Sequence, residues 1–380
     1  YNVYTVPEGQ LLIGSNGKLN PAATLGRKIT YKDQEYLVQP DNWLDNVYTP
    51  SLRQEYNASV SGSTERASFY ASLGVLDNKG IVEGQSMKRY TAKLRADYQA
   101  KSWLKVGGNA SYAKYNWKNA SPDESAGSTG SVFAMAIGMA PIYPLFIRDG
   151  NGNILYDAQG YKRYDFGNGQ NAGLTRPNAT NSNALCTNLL DLDVSEGNAV
   201  NGTGYAEFKF LRDFTFTLNG GLGLDETRSR SMSNPYYGQF VTNGGNISVG
   251  HGRSLYFNFQ QLLNWNRTFA GVHTVDVLLG HEYYRQHSYS LSASKTKLFS
   301  TTNLELNGAV VDAKKAASSH SWYNNEGFFG RVQYDFANRV YASASYRRDA
   351  SSRFHPDHRW GNFWSLTSLG SMPLGWICSK

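Results

Sequence analysis

The chain has 380 residues, of which 18% are charged and 14% are aromatic, and its formal net charge is +7. A mean hydropathy of -0.50 excludes a polytopic helical membrane protein, but it is compatible with a β-barrel whose lipid face uses every second residue. Lys and Arg are scattered rather than clustered, so the positive charge does not indicate a nucleic-acid-binding protein.

Short and long connections alternate between the strand-like segments. The short turns lie at about residues 63–66, 100–102, 212–213, 269–272 and 337–339. The long polar connections are roughly residues 77–88, 117–202, 231–253, 291–325 and 353–361. Bacterial outer-membrane barrels have short turns on the periplasmic side and long loops outside. The alternation therefore predicts an all-β fold, an antiparallel transmembrane β-barrel with short periplasmic turns and long extracellular loops.

Apolar and polar residues alternate between these connections. In residues 89–98 the even-numbered positions are apolar or aromatic and the odd-numbered positions are polar or charged, which is the period of a strand with two different faces. The predicted strands are residues 53–62, 67–76, 89–98, 104–115, 203–211, 214–225, 255–268, 274–290, 328–336, 340–352 and 363–370. Single-chain bacterial barrels have an even number of strands, so an odd count indicates a partial barrel.

One apolar run does not follow the strand pattern. Residues 132–147 are almost uncharged, but they contain Pro141 and Pro144 and are fewer than the roughly 20 residues that a membrane helix needs. The sequence predicts a loop helix here that is ended by Pro141.

Four segments resemble one known family. Residues 56–82 (YNASVSGSTERASFYASLGVLDNKGIV) resemble the early barrel hairpin of the SusC/RagA family, TonB-dependent outer-membrane importers of Bacteroidetes. Residues 140–149 (APIYPLFIRD) are similar to its first large outer loop, and residues 278–284 (LLGHEYY) to its "GHE" strand. Residues 329–360 (FGRVQYDFANRVYASASYRRDASSRFHPDHRW) resemble its most recognisable barrel segment.

The resemblance implies a larger assembly. Family members have a plug domain and 22 strands, so this chain would be an internal fragment with about 11 of 22 strands. Residues 1–52 would be the post-plug segment and first outer loop, and residues 53–380 a partial barrel. The complete protein would be a non-enzymatic importer of oligosaccharides or peptides in the bacterial outer membrane, in contact with membrane lipid. Its implied partners are a SusD-like surface lipoprotein and TonB–ExbB–ExbD, which would act through the plug.

Substrate contacts are predicted in the loops and in the lumen. Aromatic loop residues could stack on sugar rings, because an aromatic face combines large apolar area with a polar edge. The candidates are Trp117, Tyr143, Tyr156, Tyr161, Tyr164, Tyr236 and Tyr237. Arg347 and Asp349 are candidates to bind hydroxyls or carboxylates from the barrel wall. The competing interpretation of each aromatic residue is packing within the loops.

Sites for catalysis or a cofactor are weakly indicated. His281, Glu282 and His287 have the wrong spacing for a zinc helix and lie in strand-like sequence. Asp191 and Asp193 offer oxygen ligands of the type that Ca²⁺ prefers, although a solvated loop explains them as well. The sequence predicts no other cofactor.

Two alternatives remain open at this stage. In a soluble secreted carbohydrate-binding module or hydrolase, the same alternation would arise from a one-sided core. A passive porin-like channel would have the same barrel wall but no plug. The discriminating feature is the apolar face, which a soluble protein must cover and a barrel exposes to lipid.

Overall fold

The computed structural model describes residues 2–119, 131–238, 240–313 and 315–370. The strands that precede the main sheet are β1 (Tyr4–Thr5), β2 (Thr24–Leu25), β3 (Arg27–Tyr31) and β4 (Gln34–Val38). The later strands are β5 (Arg53–Ser63), β6 (Ala67–Lys79), β7 (Ser86–Lys101), β8 (Leu104–Lys118), β9 (Asn168–Asn171), β10 (Leu174–Thr175), β11 (Leu192–Phe210), β12 (Phe214–Ser233), β13 (Asn246–Phe269), β14 (His273–Leu298), β15 (Ala309–Asp312), β16 (Ala317–Phe336), β17 (Val340–Ser351) and β18 (Trp360–Gly370). The α-helices are α1 (Val132–Gly138) and α2 (Ala184–Leu190), and the 3-10 turns are Leu44–Asn46, Val241–Asn243, Leu306–Gly308 and Pro356–His358.

Eleven of these strands form one continuous antiparallel sheet. Its order is β5-β6-β7-β8-β11-β12-β13-β14-β16-β17-β18, so each strand pairs with the next wall strand along the chain, and β15 adds a short pairing to β14. Within the described residues, β5 and β18 each have one neighbour and the sheet does not close on itself. The prediction of an all-β, partial antiparallel barrel with eleven wall strands is confirmed.

The alternation of short and long connections is also confirmed. The short ones are residues 64–66, 102–103, 211–213, 270–272 and 337–339. At one of them, Ala270 and Gly271 have φ angles of 51° and 71°, the left-handed conformation that a tight hairpin turn requires at both central positions. Since the sheet is a simple meander, all long connections lie at its other end.

The predicted bounds of the long loops are wrong, because several strands extend far beyond the alternating segments. The connections between wall strands are residues 119–191, 234–245 and 299–316, where 117–202, 231–253 and 291–325 were expected. Strand β11 starts at Leu192. Near this end, Glu196 pairs with Arg228 of β12. The outer ends of these strands face water on both sides. They therefore pair as strands although their residues do not alternate between apolar and polar.

The loop helix predicted in residues 132–147 is present as α1. Ser131 precedes it, and its side chain accepts a hydrogen bond of 3.2 Å from the backbone N–H of Ala134. The helix ends at Gly138, before Pro141. No helix in the described ranges combines the length and apolar character needed to cross a membrane.

The two faces of the wall differ in polarity. Directly paired residues of an antiparallel sheet lie on the same face, so the register assigns every wall side chain to one face. One face carries Leu94, Leu222 and Leu279, which are 63%, 51% and 54% exposed. The other carries polar side chains such as Lys93 and Glu282. We refer to these as the lipid face and the lumen face, because a membrane barrel exposes its apolar side to lipid.

Candidate functional site

Two segments pack against each other at the outer end of the wall. The N-terminal segment, residues 2–52, packs against the large outer loop, residues 131–191, through two apolar clusters. In the first, Trp43 and Val47 contact Val132 and Met135 among other buried residues. In the second, Val3, Tyr36 and Val38 pack with Ile147 and Ala172. We call these two segments together the outer layer.

A buried ion pair joins the two segments of the outer layer. Asp41 and Arg148 have side chains that are 10% and 9% exposed, and two hydrogen bonds of 2.5 and 3.0 Å connect them. Asp41 also accepts hydrogen bonds from the backbone N–H groups of Leu145 (2.8 Å) and Phe146 (3.2 Å). One carboxylate therefore fixes the path of residues 145–148 against the N-terminal segment.

Three aspartates spaced eight residues apart organise the large outer loop. Asp149 accepts hydrogen bonds of 2.9 Å from the backbone N–H groups of Asn151 and Asn153, and Asp157 accepts bonds of 3.0 and 2.8 Å from those of Gln159 and Tyr161. Asp165, eight residues further on, accepts a bond of 2.6 Å from the N–H of Gly167. Hydrogen bonds from Asn153 lower the pKa of Asp149. This repeat was not predicted, although its eight-residue spacing is visible in the sequence.

Asp157 also links the large outer loop to the connection between β12 and β13. The hydroxyl of Tyr237 donates a hydrogen bond to Asp157, and its ring stacks on Phe166 with centroids 5.7 Å apart. Burial would raise the pKa of Asp157, but the hydrogen bonds from Tyr237 and from the backbone outweigh it and lower that pKa. Near the start of β11, Asp191 accepts bonds of 2.8 and 2.6 Å from the backbone and side chain of Asn234. Two neighbouring loops are thus held together by carboxylate hydrogen bonds.

Replacing Tyr237 by phenylalanine is expected to loosen this link by about 1 kcal/mol, because one hydrogen bond to a partly exposed carboxylate is lost. Asp157 has a lowered pKa in the folded protein, so its stabilisation is present above the unfolded pKa and is lost as pH falls through the folded pKa. The rate of protease cleavage in residues 234–245, measured against pH, should rise in Tyr237→Phe near neutral pH and differ less from wild type in acid. Tyr236→Phe, at an exposed neighbouring position, is the matched control; equal effects of both changes would contradict the prediction.

The predicted aromatic contacts divide into packed and exposed residues. Tyr143 and Tyr164 pack against the first apolar cluster, and burial raises the pKa of Tyr164. Tyr237 is engaged with Asp157, as described above. Tyr156, Tyr161 and Tyr236 are 59%, 45% and 46% exposed in the outer layer or the adjoining loop. Trp117 is 43% exposed near the outer end of β8 and lies 6.2 Å from the ring of Tyr115.

The predicted polar pair of the wall lies on the lumen face. Arg347 donates hydrogen bonds of 2.7 and 2.8 Å to Asp349 and one of 2.6 Å to Glu282 on β14. Its guanidinium lies 5.1 Å from the centre of the Phe329 ring. Arg347 and Asp349 were both predicted as substrate contacts, which stays a prediction, and Glu282 was not among the predicted residues. Glu282 comes from a strand 65 positions away, so only the sheet register brings it there.

A second lumen feature is a tyrosine that crosses a glycine to reach a polar group two strands away. The ring of Tyr205 lies over Gly107, where an added Cβ would be 2.6 Å from a ring carbon, and its hydroxyl donates to Asp97 at 2.7 Å. Tyr115 crosses Gly197 in the same way, and its hydroxyl is 2.8 Å from that of Thr227. Glycine is needed at these positions because any side chain would displace the ring. These bridges stiffen the lumen face.

Asp191 and Asp193, the predicted calcium ligands, both take part in hydrogen bonds. Asp191 is bonded to Asn234, and burial raises its pKa. Asp193 accepts a bond of 3.0 Å from the side chain of Asn119. In the ranges that the structure describes, no three His, Cys, Asp or Glu residues are grouped as a metal site. Calcium binding here stays a prediction.

Comparison with known proteins shows which proteins this wall is similar to. No family model matches the sequence. TonB-dependent receptor P39 of Formosa agariphila is 25% identical over 88% of this chain, and TonB-dependent receptor SusC of Bacteroides thetaiotaomicron is likewise 25% identical over 88%. The chain spans 29% and 32% of the length of these two relatives.

Solved structures give the same answer for the fold. The RagAB peptide importer in its closed-closed state superimposes with a TM-score of 0.72 at 22% identity, covering 93% of this chain and 37% of that one. The RagAB peptide transporter superimposes with a TM-score of 0.69 at 24% identity, covering 87% of this chain and 35% of that one. The fold is therefore that of a bacterial outer-membrane β-barrel wall, and it is similar to part of the wall of TonB-dependent receptors. Within that class, the resemblance to the SusC/RagA family predicted from the sequence is confirmed.

Proposed function

We propose that this chain forms about half of the wall, and part of the outer layer, of a TonB-dependent importer for oligosaccharides or peptides. In this role it catalyses no reaction. Its outer layer works with a SusD-like surface lipoprotein, and TonB–ExbB–ExbD supplies energy through a plug domain. The relatives carry the names TonB-dependent receptor and SusC, and the RagAB structures carry the name peptide importer.

The observation that supports the proposal best is the continuity between the outer layer and the polar lumen face. Exposed tyrosines lie in the outer layer and its neighbouring loop, and Trp117 on β8 faces the lumen at the outer end of the wall. The Arg347–Asp349–Glu282 cluster follows further along the same face. A polar polymer entering from outside would meet stacking surfaces first and hydrogen-bonding groups next. The soluble alternative has no comparable support, because large residues such as Leu94 and Leu279 stay exposed on the lipid face.

Uptake by the complete protein tests this proposal. Cells that express it would be given fluorescent oligosaccharides or fluorescent peptides, with and without depletion of TonB. We expect one of the two substrate classes to accumulate only when TonB is present. Uptake that does not depend on TonB would favour the passive channel and overturn the proposal.

A pair of variants addresses the stacking surfaces. Combined Tyr156→Ala and Tyr236→Ala should lower uptake at limiting substrate by about tenfold, since each aromatic contact contributes about 0.5–1.5 kcal/mol. Tyr346 is 50% exposed but lies on the lipid face, so Tyr346→Ala is the matched control. A larger loss of uptake in the control than in the double variant would show that Tyr156 and Tyr236 are not part of the binding surface.

A further inference from the structure

The lipid face contains a groove along β14 and β16. It has a volume of about 700 Å³, and its apolar lining includes Leu263, Val277, Leu279 and Val332. Gly330 lies among them and has no side chain; an added Cβ there would approach the Leu279 side chain to 3.3 Å. The groove therefore exists partly because residue 330 is a glycine. It faces the acyl chains of the membrane.

The groove becomes polar in the direction of the outer loops. His281, two positions beyond Leu279 on the same face, lines the groove together with Gln261. The two ring nitrogens of His281 lie 3.0 Å from the side-chain oxygen of Gln261 and 3.1 Å from a carboxylate oxygen of Glu326. The carboxylate of Glu326 therefore already has His281 as a hydrogen-bond partner.

A cluster of cations and aromatic rings follows beyond His281. Arg285 lies on the same face, four positions further from the short turn, with its guanidinium 4.4 Å from the centre of the Trp322 ring. The ring of His287 stacks on the ring of Trp322; the two ring centroids are 3.8 Å apart and the planes are nearly parallel. The His320 ring lies 6.1 Å from that of His287. Among the described residues, no carboxylate forms an ion pair with Arg285.

We propose that this surface binds one phosphate-bearing lipid of the outer leaflet, with an acyl chain in the groove and the phosphate on Arg285. The order of chemistry along the two strands is apolar, then polar, then cationic and aromatic. A lipid of the outer leaflet presents its chains and headgroup in the same order, from the membrane centre outward. This inference goes beyond the import function and does not depend on it.

The chemistry of the cluster favours a phosphate. The planar guanidinium of arginine matches two phosphate oxygens, and its attraction to a negative charge is strengthened where water is partly excluded. Trp322 holds that guanidinium in place through a cation–π contact, and tryptophan favours the membrane–water interface. His287 and His320 add hydrogen-bond donors beside Arg285.

Native mass spectrometry of the complete protein in detergent would test the site. Phosphatidic acid, diacylglycerol and inorganic phosphate would each be titrated into the protein. We expect one phosphatidic acid per barrel to be retained, while diacylglycerol, which has the same chains without the phosphate, binds about tenfold more weakly, a difference of about 1.4 kcal/mol. Inorganic phosphate should not displace the bound phosphatidic acid. Equal binding of diacylglycerol, or full displacement by inorganic phosphate, would overturn the proposal.

Two pairs of variants separate the phosphate contact from the groove. Arg285→Gln removes the proposed phosphate contact, and its control is Arg267→Gln, which removes an arginine from the lipid face near the short-turn end. Gly330→Leu fills the groove, and its control is Gly220→Leu, on the same face, where an added Cβ meets no atom within 4 Å. We expect retention of phosphatidic acid to fall about tenfold in Arg285→Gln and in Gly330→Leu but not in the controls. Unchanged retention in both test variants, each shown to be folded by its heat-dependent gel mobility, would contradict the site.

Discussion

Replacing Leu279 by arginine is expected to destabilise the folded wall in a bilayer by about 2–4 kcal/mol. Leu279 is 54% exposed on the lipid face and lies seven positions beyond the short turn at 270–272, well inside the apolar band. An arginine there would bring a charge into hydrocarbon, where a charged group is poorly solvated. The free energy of unfolding of the complete protein in lipid vesicles, measured by urea titration, provides the number.

The control for this prediction is Leu262→Arg. Leu262 pairs directly with Gly280, the residue after Leu279, so the two leucines lie at similar heights but on opposite faces. An arginine at 262 would project into the aqueous lumen and should cost less than about 1 kcal/mol. If both variants lost the same free energy, the assignment of the two faces would be wrong.

Replacing Asp41 by alanine is expected to destabilise the outer layer by about 3–5 kcal/mol. The change leaves the buried guanidinium of Arg148 without its carboxylate, and it also removes the acceptor of two backbone N–H groups. The wall itself should remain folded, because none of its eleven strands depends on this pair. Hydrogen exchange of residues 145–148, compared with exchange in β12 and β13, would locate the loss.

Two further variants control for the loss of charge alone. Asp45 is exposed and lies in the neighbouring 3-10 turn, so Asp45→Ala should have little effect on exchange in the outer layer. Replacing Asp41 and Arg148 together by leucine should recover part of the loss, because the unpaired buried charge is then absent. A double variant as unstable as Asp41→Ala would show that the backbone hydrogen bonds, rather than the ion pair, dominate.

Much of the wall could be predicted from the sequence because lipid and water impose different residues on alternate positions. Residues 89–98 show this directly, and the corresponding strand β7 is confirmed with the expected faces. The beginning of β11 could not be predicted, since Glu196 and Arg228 lie on the lipid side above the apolar band, where charged residues are as favourable as apolar ones. Beyond the membrane, a strand extends as far as its neighbouring strand pairs with it.

The residues of the candidate site could be predicted only in part from the sequence, for a similar reason. Aromatic composition indicates stacking surfaces, but the sequence cannot separate Tyr164, which packs in the first apolar cluster, from Tyr161, which is 45% exposed. Arg347 and Asp349 are two positions apart and therefore share a face in any strand. Glu282 joins them only through the register of β14, β16 and β17.

The sequence by itself determined the architecture of this protein: eleven antiparallel wall strands, short turns at one end and long connections at the other. Local physics is sufficient for these features, because alternation and turn residues act over neighbouring positions. Only the tertiary structure decided how the outer layer is held by Asp41 and Arg148, which tyrosines stay exposed, and where the groove lies beneath Arg285. Each of these depends on residues that are distant in the chain, and no local pattern encodes which distant partners will meet.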